Sequence, residues 1–104
     1  MNSIVEISIE AFKARENVHK RMNVIDVREE WEFIENNIGV LNIPLADIPT
    51  RLNEIQHLKS EEIIVHCKSG KRGAQACKYL KSQGFMNVKN LCGGIEAYQA
   101  QTLE

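Results

Sequence analysis

The sequence has no segment that resembles a signal peptide and no apolar run long enough to cross a bilayer. Its three cysteines, Cys67, Cys77 and Cys92, form an odd set without Cys-x-x-Cys spacing, which argues against a disulfide framework and against a zinc site. A glycine-rich nucleotide fingerprint after the first predicted strand is also missing. We therefore expect a cytoplasmic protein with no membrane association, no metal, no cofactor and at least one free thiol.

Linkers and low-complexity segments are lacking as well. Only two of the 104 residues are proline, and no repeat or serine-rich tract divides the chain. Hydrophobic residues make up 43% and charged residues 26% of the sequence, which is typical of a globular protein, and this length suffices for one hydrophobic core. We predict a single domain over residues 1–104.

Acidic residues are absent from a long stretch of the chain. The net charge is only −1, yet no Asp or Glu occurs between Glu62 and Glu96. The basic residues of this stretch are Lys68, Lys71, Arg72, Lys78, Lys81 and Lys89. Because only three of these cations cluster and no aromatic residues alternate with them, the segment favours a small anion over nucleic acid as its partner.

Short apolar runs alternate with amphipathic segments along the chain. The runs predict strands at residues 4–7, 23–27, 39–44, 62–67 and 87–91. The amphipathic segments predict helices at 8–15 with Ser8 as N-cap, 29–35, 46–58 with Pro49 in the first turn, 73–83 and 95–101. This order predicts an α/β fold, with a central, mainly parallel sheet of about five short strands and helices on both faces.

Cys67 ends the most hydrophobic predicted strand, and ligands of open α/β sheets bind at the carboxyl ends of strands. The residues that follow it are Lys68, Ser69, Gly70, Lys71 and Arg72. Their cations and glycine predict an anion-binding loop of backbone N–H groups that leads into a helix N-terminus. Since both features favour the thiolate, Cys67 is the candidate nucleophile, and we expect it to be substantially ionised at neutral pH.

Other notable side chains receive structural interpretations. His66 precedes the candidate nucleophile in a strand, so its side chain should point to the opposite face and into the core. Trp31 and Phe33 are expected in the core or in a pocket wall. Cys77 falls in mid-helix and should be buried. Cys92 is either a buried packing residue, which is favoured, or a second thiol near the active loop.

Four motifs occur in an order that resembles the single-domain rhodanese family over essentially the whole chain. Cys67-Lys68-Ser69-Gly70-Lys71-Arg72 is similar to that family's Cys-x-x-Gly-x-Arg active loop. The other motifs are Asp26-Val27-Arg28-Glu29, Trp31-Glu32 and the late double glycine Leu91-Cys92-Gly93-Gly94-Ile95. The resemblance implies a three-layer rhodanese-like fold.

The resemblance also implies a sulfurtransferase mechanism. Cys67 would take the outer sulfur of thiosulfate or of a persulfide donor and pass it to cyanide or to a thiol, which can belong to a protein. Lys68, Lys71 and the loop amides would bind the donor and the persulfide. Arg72 is expected to organise the loop by pairing with a carboxylate as well as by contacting substrate, and Asp26 and Arg28 to support the site.

Two other functions are compatible with the same pattern. A phosphatase or arsenate reductase of this fold also uses a cysteine in an anion-binding loop that ends in arginine. Family resemblance gives those enzymes a Cys-x5-Arg loop, whereas four residues separate Cys67 from Arg72, which disfavours that function. A non-catalytic regulatory module is disfavoured because the cysteine is retained.

Overall fold

The computed structural model describes residues 4–101, and their backbone forms one five-stranded sheet. The strands are β1 (Val5–Ile7), β2 (Val24–Asp26), β3 (Leu41–Asn42), β4 (Glu62–His66) and β5 (Asn87–Leu91). Their spatial order is β1-β5-β4-β2-β3, and every neighbouring pair is parallel. The predicted α/β fold with a mainly parallel sheet is confirmed.

Five α-helices cover the two faces of the sheet. They are α1 (Ile9–Asn17), α2 (Glu30–Glu35), α3 (Ile48–Arg51), α4 (Lys71–Ser82) and α5 (Gly94–Gln101). Ser8 caps α1 as predicted, because its hydroxyl accepts a hydrogen bond from the N–H of Ala11 at 3.1 Å. None of these helices is long and apolar enough to span a membrane.

The central strand β4 divides the core into two halves. Ile63 and Val65 point to the face covered by α4, where they pack with Ala76 and Leu80. Ile64 points to the other face and packs with Phe12 of α1. Side chains of a strand alternate between faces, so a strand that is apolar at every position must be covered on both sides. This burial fixes the end of β4, and with it the position of Cys67.

The helix predicted over residues 46–58 was wrong. Within this segment only α3 is α-helical. Short 3₁₀ turns flank it at Leu45–Asp47, Leu52–Glu54 and Gln56–Leu58. Pro49 lies in its first turn as predicted, and the hydroxyl of Thr50 donates to the carbonyl of Asp47, a local bond that competes with helix continuation. The apolar spacing still marked core positions, since Ile48 and Ile55 are both buried.

The expected burial of Trp31 was also wrong. This side chain is 63% exposed on α2, whereas its neighbour Phe33 lines a cleft beside Pro44. A six-residue helix presents only part of its surface to the core, and in α2 that part carries Glu32 and Phe33.

Candidate active site

The thiol of Cys67 lies directly after β4, at the carboxyl edge of the sheet, and the residue is 1% exposed. Its Sγ atom accepts hydrogen bonds from the N–H of Gly70 at 3.0 Å and from the N–H of Gly73 at 3.2 Å. Backbone N–H groups that converge on one atom form a site for negative charge. The geometry therefore favours an anionic sulfur at this position.

The loop after Cys67 turns sharply at Gly70. This residue has a φ of 108°, a value that side-chain-bearing residues rarely adopt, and it is the N-cap of α4. The turn directs the N-terminal end of a 12-residue helix at the sulfur, and the helix dipole adds partial positive charge there. The side chains of Lys68, Ser69 and Lys71 are all exposed on the outer side of this loop.

Arg72 anchors the loop to α2 through a two-pronged ion pair. Its Nη1 and Nη2 atoms lie 2.6 Å and 3.0 Å from the two carboxylate oxygens of Glu32. The hydrogen bond from Arg72 lowers the pKa of Glu32 to about 2, against an ordinary value of 4.5. Glu32 also accepts the N–H of Glu29, which closes the first turn of α2. Both terminal nitrogens of the Arg72 guanidinium thus bond to one carboxylate.

A second ion pair lies under the site at the end of β2. Asp26 is fully buried and receives the backbone N–H and the guanidinium of Arg28, with Nη2 2.8 Å from Oδ2. Arg28 also donates to the carbonyl of Asn36 at 2.7 Å, so it ties the strand end to the segment after α2. These contacts are internal to the segment from the end of β2 to the residue after α2, and they give Asp26 and Arg28 a structural role there.

His66 is a core residue, as its strand position predicts. Its side chain is fully buried, and Nε2 lies 3.4 Å from Oδ2 of Asp26 without making a hydrogen bond. Burial lowers the pKa of His66 below its usual 6.5, so the imidazole is neutral at physiological pH. The ring therefore brings no positive charge to the sulfur of Cys67.

The double glycine brings α5 against the start of the active loop. The N–H groups of Ile95 and Glu96 bond to the carbonyls of Cys67 and Lys68 at 2.8 Å and 3.1 Å. A Cβ atom on Gly94 would collide with both of these carbonyl oxygens. A residue without a side chain at position 94 thus allows α5 to approach the loop backbone closely.

Cys92 and Cys77 have environments unlike that of Cys67. Cys92 is exposed, so its expected burial was wrong, and the charge of Glu6 raises the pKa of its thiol. Cys77 is buried as predicted, and burial raises the pKa of its thiol to about 12. Neither environment favours a thiolate at neutral pH.

Two residues at the site were missed from the sequence alone. Glu32 was noted only as half of the Trp31-Glu32 motif. Its position on a short helix, four residues after Arg28, was the available signal that its carboxylate faces the site. Asn90, 1% exposed on β5, donates from Nδ2 to the carbonyl of Gly70 at 2.9 Å. An amide in the middle of a predicted buried strand was the available signal, because buried polar groups need partners.

Comparisons with known proteins identify relatives with similar sequences. A Bacillus subtilis protein named as a candidate sulfur carrier, YrkF, is 38% identical over 102 residues, which cover 97% of this chain and 54% of YrkF. This chain thus spans about half the length of that relative. A protein of Allochromatium vinosum named sulfurtransferase is 36% identical over 94 residues, covering 89% of this chain and 86% of the relative.

Solved structures agree on the fold. The crystal structure of a rhodanese-like domain protein from Staphylococcus aureus superposes with a TM-score of 0.83 at 28% identity, and the match covers 91% of each chain. The description of the family that matches residues 8–101 is the rhodanese-like domain. Since that match includes every strand and helix after β1, this chain belongs to the rhodanese-like domain family.

Proposed function

We propose that this protein is a sulfurtransferase that carries sulfur as a persulfide on Cys67. The observation that carries the proposal is the pair of N–H groups, from Gly70 and Gly73, that converge on Sγ of a cysteine at the carboxyl edge of the sheet. Relatives of similar length named as sulfurtransferases support sulfur transfer in general. Thiosulfate as donor and the persulfide as intermediate are the specific parts of the proposal.

The first half-reaction is attack of the Cys67 thiolate on the outer sulfur of thiosulfate. A new S–S bond forms at Cys67, the S–S bond of thiosulfate breaks, and its electron pair leaves with sulfite. The persulfide carries the negative charge that the thiolate carried before. N–H groups that are already in place stabilise such a charge without reorganisation during the reaction.

The second half-reaction returns the enzyme to its starting state. Cyanide attacks the outer sulfur of the persulfide and leaves as thiocyanate, while the thiolate of Cys67 re-forms. A thiolate acceptor, including one on a protein, takes the outer sulfur in the same way and becomes a persulfide itself. Neither route needs a cofactor, since the S–S bond being broken supplies the leaving group.

Access to the site favours a slender donor. Cys67 is 1% exposed, so an incoming molecule must reach Sγ with a narrow end. The terminal sulfur of thiosulfate or of a persulfide is one atom wide, while its charge can stay near the exposed Lys68 and Lys71. This arrangement suits a sulfane donor better than a bulkier group whose central atom must be attacked.

A phosphatase function is disfavoured by the arginine of the loop. Both terminal nitrogens of Arg72 bond to Glu32, so these donors are already engaged by a carboxylate. A tetrahedral oxyanion would need these donors. We expect no hydrolysis of an aryl phosphate by the purified protein.

The function is tested by following thiocyanate production from thiosulfate and cyanide. Wild type and Cys92→Ser should turn over equally, because Cys92 is an exposed thiol with no N–H groups directed at it among the described residues. Cys67→Ser should be inactive while keeping the wild-type melting temperature. Turnover by Cys67→Ser, or aryl phosphate hydrolysis by the wild type, would refute the proposed function.

A further inference from the structure

Asn90 is a buried amide whose oxygen lacks a partner. It lies on β5 between Lys89 and Leu91, and Nδ2 donates to the carbonyl of Gly70 at 2.9 Å. Its Oδ1 atom is buried and accepts no hydrogen bond from the residues that the structure describes. A buried acceptor without a partner is costly, and such groups are rare in folded proteins. Packing alone therefore does not explain why an asparagine occupies this buried position.

The unpartnered oxygen packs against the first turn of α4. A Cβ atom on Gly73 would collide with Oδ1 of Asn90 and would lie 3.1 Å from its Cγ. The same point lies 3.6 Å from Sγ of Cys67, so the amide and the thiol flank one small space. Asn90 thus fills the room that a side chain at residue 73 would occupy.

Asn90 consequently contacts both residues that bind the sulfur. Gly70 and Gly73 are the two residues whose N–H groups point at Sγ of Cys67. Gly70 has no side chain that could cap α4. Its carbonyl accepts hydrogen bonds from the backbone N–H of Ala74 and from the side-chain amide of Asn90. The side chain of Asn90 therefore restrains the N-terminal end of α4 from the sheet side.

We propose that Asn90 is a positioning residue that fixes the two N–H groups at Cys67 in the direction needed to stabilise the thiolate and the persulfide. This inference rests on the proposed sulfurtransferase function. The amide N–H holds the carbonyl of Gly70 and, through the Cα atom of that residue, restrains the preceding peptide plane that carries the N–H directed at sulfur. The amide oxygen limits how closely the helix approaches at Gly73. A small rotation of either peptide would weaken its bond to sulfur, because hydrogen bonds weaken steeply with angle.

The first test compares Asn90→Ala and Asn90→Asp with Asn87→Ala, a control at the exposed start of the same strand. The readouts are the rate of persulfide formation from thiosulfate and the pH profile of Cys67 alkylation by iodoacetamide, measured on the Cys67 peptide by mass spectrometry. We expect Asn90→Ala to slow persulfide formation about tenfold and to move the alkylation midpoint about one pH unit upward. Asn90→Asp should be slower still, and Asn87→Ala unchanged.

The pH profile separates positioning from simple loosening of the loop. Greater access to Cys67 would raise the alkylation rate at every pH without moving the midpoint. If wild type forms no persulfide, the proposed function fails, but the midpoint still decides whether Asn90 tunes the thiol. A folded Asn90→Ala variant with the wild-type midpoint would overturn the inference.

A double substitution tests the same idea where single variants lose stability. Gly73→Ala should lower the melting temperature, because the new Cβ meets the amide of Asn90. Adding Asn90→Ala removes that collision, so the double variant should recover most of the melting temperature. Its alkylation midpoint should stay high, since the carbonyl of Gly70 is no longer held. A double variant that recovers both the melting temperature and the wild-type alkylation midpoint would contradict the proposal.

Discussion

At the scale of single residues, three thiols of one chain lie in three different environments. Cys67 receives two N–H groups, Cys92 is exposed beside a carboxylate, and Cys77 is buried in α4. Thiolate content, rather than the presence of a thiol, sets reactivity. The local surroundings therefore single out Cys67.

Burial of Cys77 predicts a loss of stability at alkaline pH. Burial raises the pKa of the folded thiol from an ordinary 9.0 to about 12, so between these values the folded state holds a proton that the unfolded chain releases. The free energy of unfolding should therefore fall as pH rises from 9 to 12, by up to about 1.4 kcal/mol per pH unit. Below pH 9 this thiol should not change the free energy of unfolding.

The check is chemical denaturation of wild type and Cys77→Ala at pH 8 and pH 10. The variant should start about 1 kcal/mol less stable because of the lost packing, and should lose less stability between the two pH values. An equal loss in both proteins would contradict the assigned role of Cys77.

The signals that make Cys67 the candidate nucleophile in the sequence are local. A cysteine at the end of an apolar strand, followed by glycine and cations, depends only on neighbours along the chain. The exposure of Trp31 and Cys92 depends instead on which distant segments cover them, and composition carries little information about that. Asn90 was missed for the same reason, because its partner Gly70 is 20 residues away.

At the scale of elements, the site is held from three sides. Glu32 of α2 binds Arg72, Asn90 of β5 binds Gly70, and the N-terminus of α5 binds the carbonyls of Cys67 and Lys68. These elements come from distant parts of the chain. The loop geometry is therefore a property of the packed fold rather than of the loop sequence.

The ion pair between α2 and the loop should stabilise the protein except in acid. The pKa of Glu32 is lowered from 4.5 to about 2, so its contribution is fully present above pH 4.5 and is lost as pH falls from 4.5 to 2. Glu32→Gln should cost about 1–3 kcal/mol at pH 7, because the charge of Arg72 loses its partner.

Denaturation at pH 7 and pH 3 measures this contribution, with Glu35→Gln at the exposed end of the same helix as the control. The difference between wild type and Glu32→Gln should shrink at pH 3, whereas Glu35→Gln should stay close to wild type at both. A difference that is independent of pH would show that the ion pair is not its source.

The close approach at the double glycine gives a matched pair of alanine substitutions. Gly94 and Gly39 both have positive φ, 62° and 80°, but a Cβ atom meets the loop backbone at Gly94 and nothing within 4 Å at Gly39. Gly39→Ala should cost about 1–2 kcal/mol of backbone strain. Gly94→Ala should cost clearly more and should also slow thiocyanate production, which Gly39→Ala should leave intact. Equal losses of stability would contradict the close approach.

Element type was predictable where periodicity and length agreed. The strands at 62–67 and 87–91 and the helix before Gly84 have clear apolar patterns, and the structure contains all three. The apolar residues of segment 46–58 have helical spacing too, but the segment folds as a series of short turns that bury Ile48 and Ile55. Spacing identifies buried positions, and it does not by itself determine the backbone between them.

At the scale of the whole molecule, charge is distributed unevenly. The net charge is only −1, yet the acid-free stretch after Glu62 contains the active loop. The exposed Lys68 and Lys71 belong to the loop whose N–H groups face Cys67. Under the proposed function these two cations would attract an anionic donor to this edge of the sheet, although the net charge of the protein would not.

Removal of one cation should therefore weaken donor binding in a salt-dependent way. Lys71→Gln should raise the KM for thiosulfate a few-fold at low salt and much less at high salt, because exposed charges are screened. Lys78→Gln, an exposed lysine further along α4, is the control and should change little. A Lys71→Gln effect that persists at high salt would indicate a direct structural role instead.

The most direct measurement of the central claim is the mass of the intact, reduced protein after incubation with thiosulfate, followed by mapping of any adduct to a peptide. We predict the addition of one sulfur atom, located on Cys67, absent from Cys67→Ser and removed by cyanide. An adduct on Cys92 alone, or none on folded wild-type protein, would contradict the account.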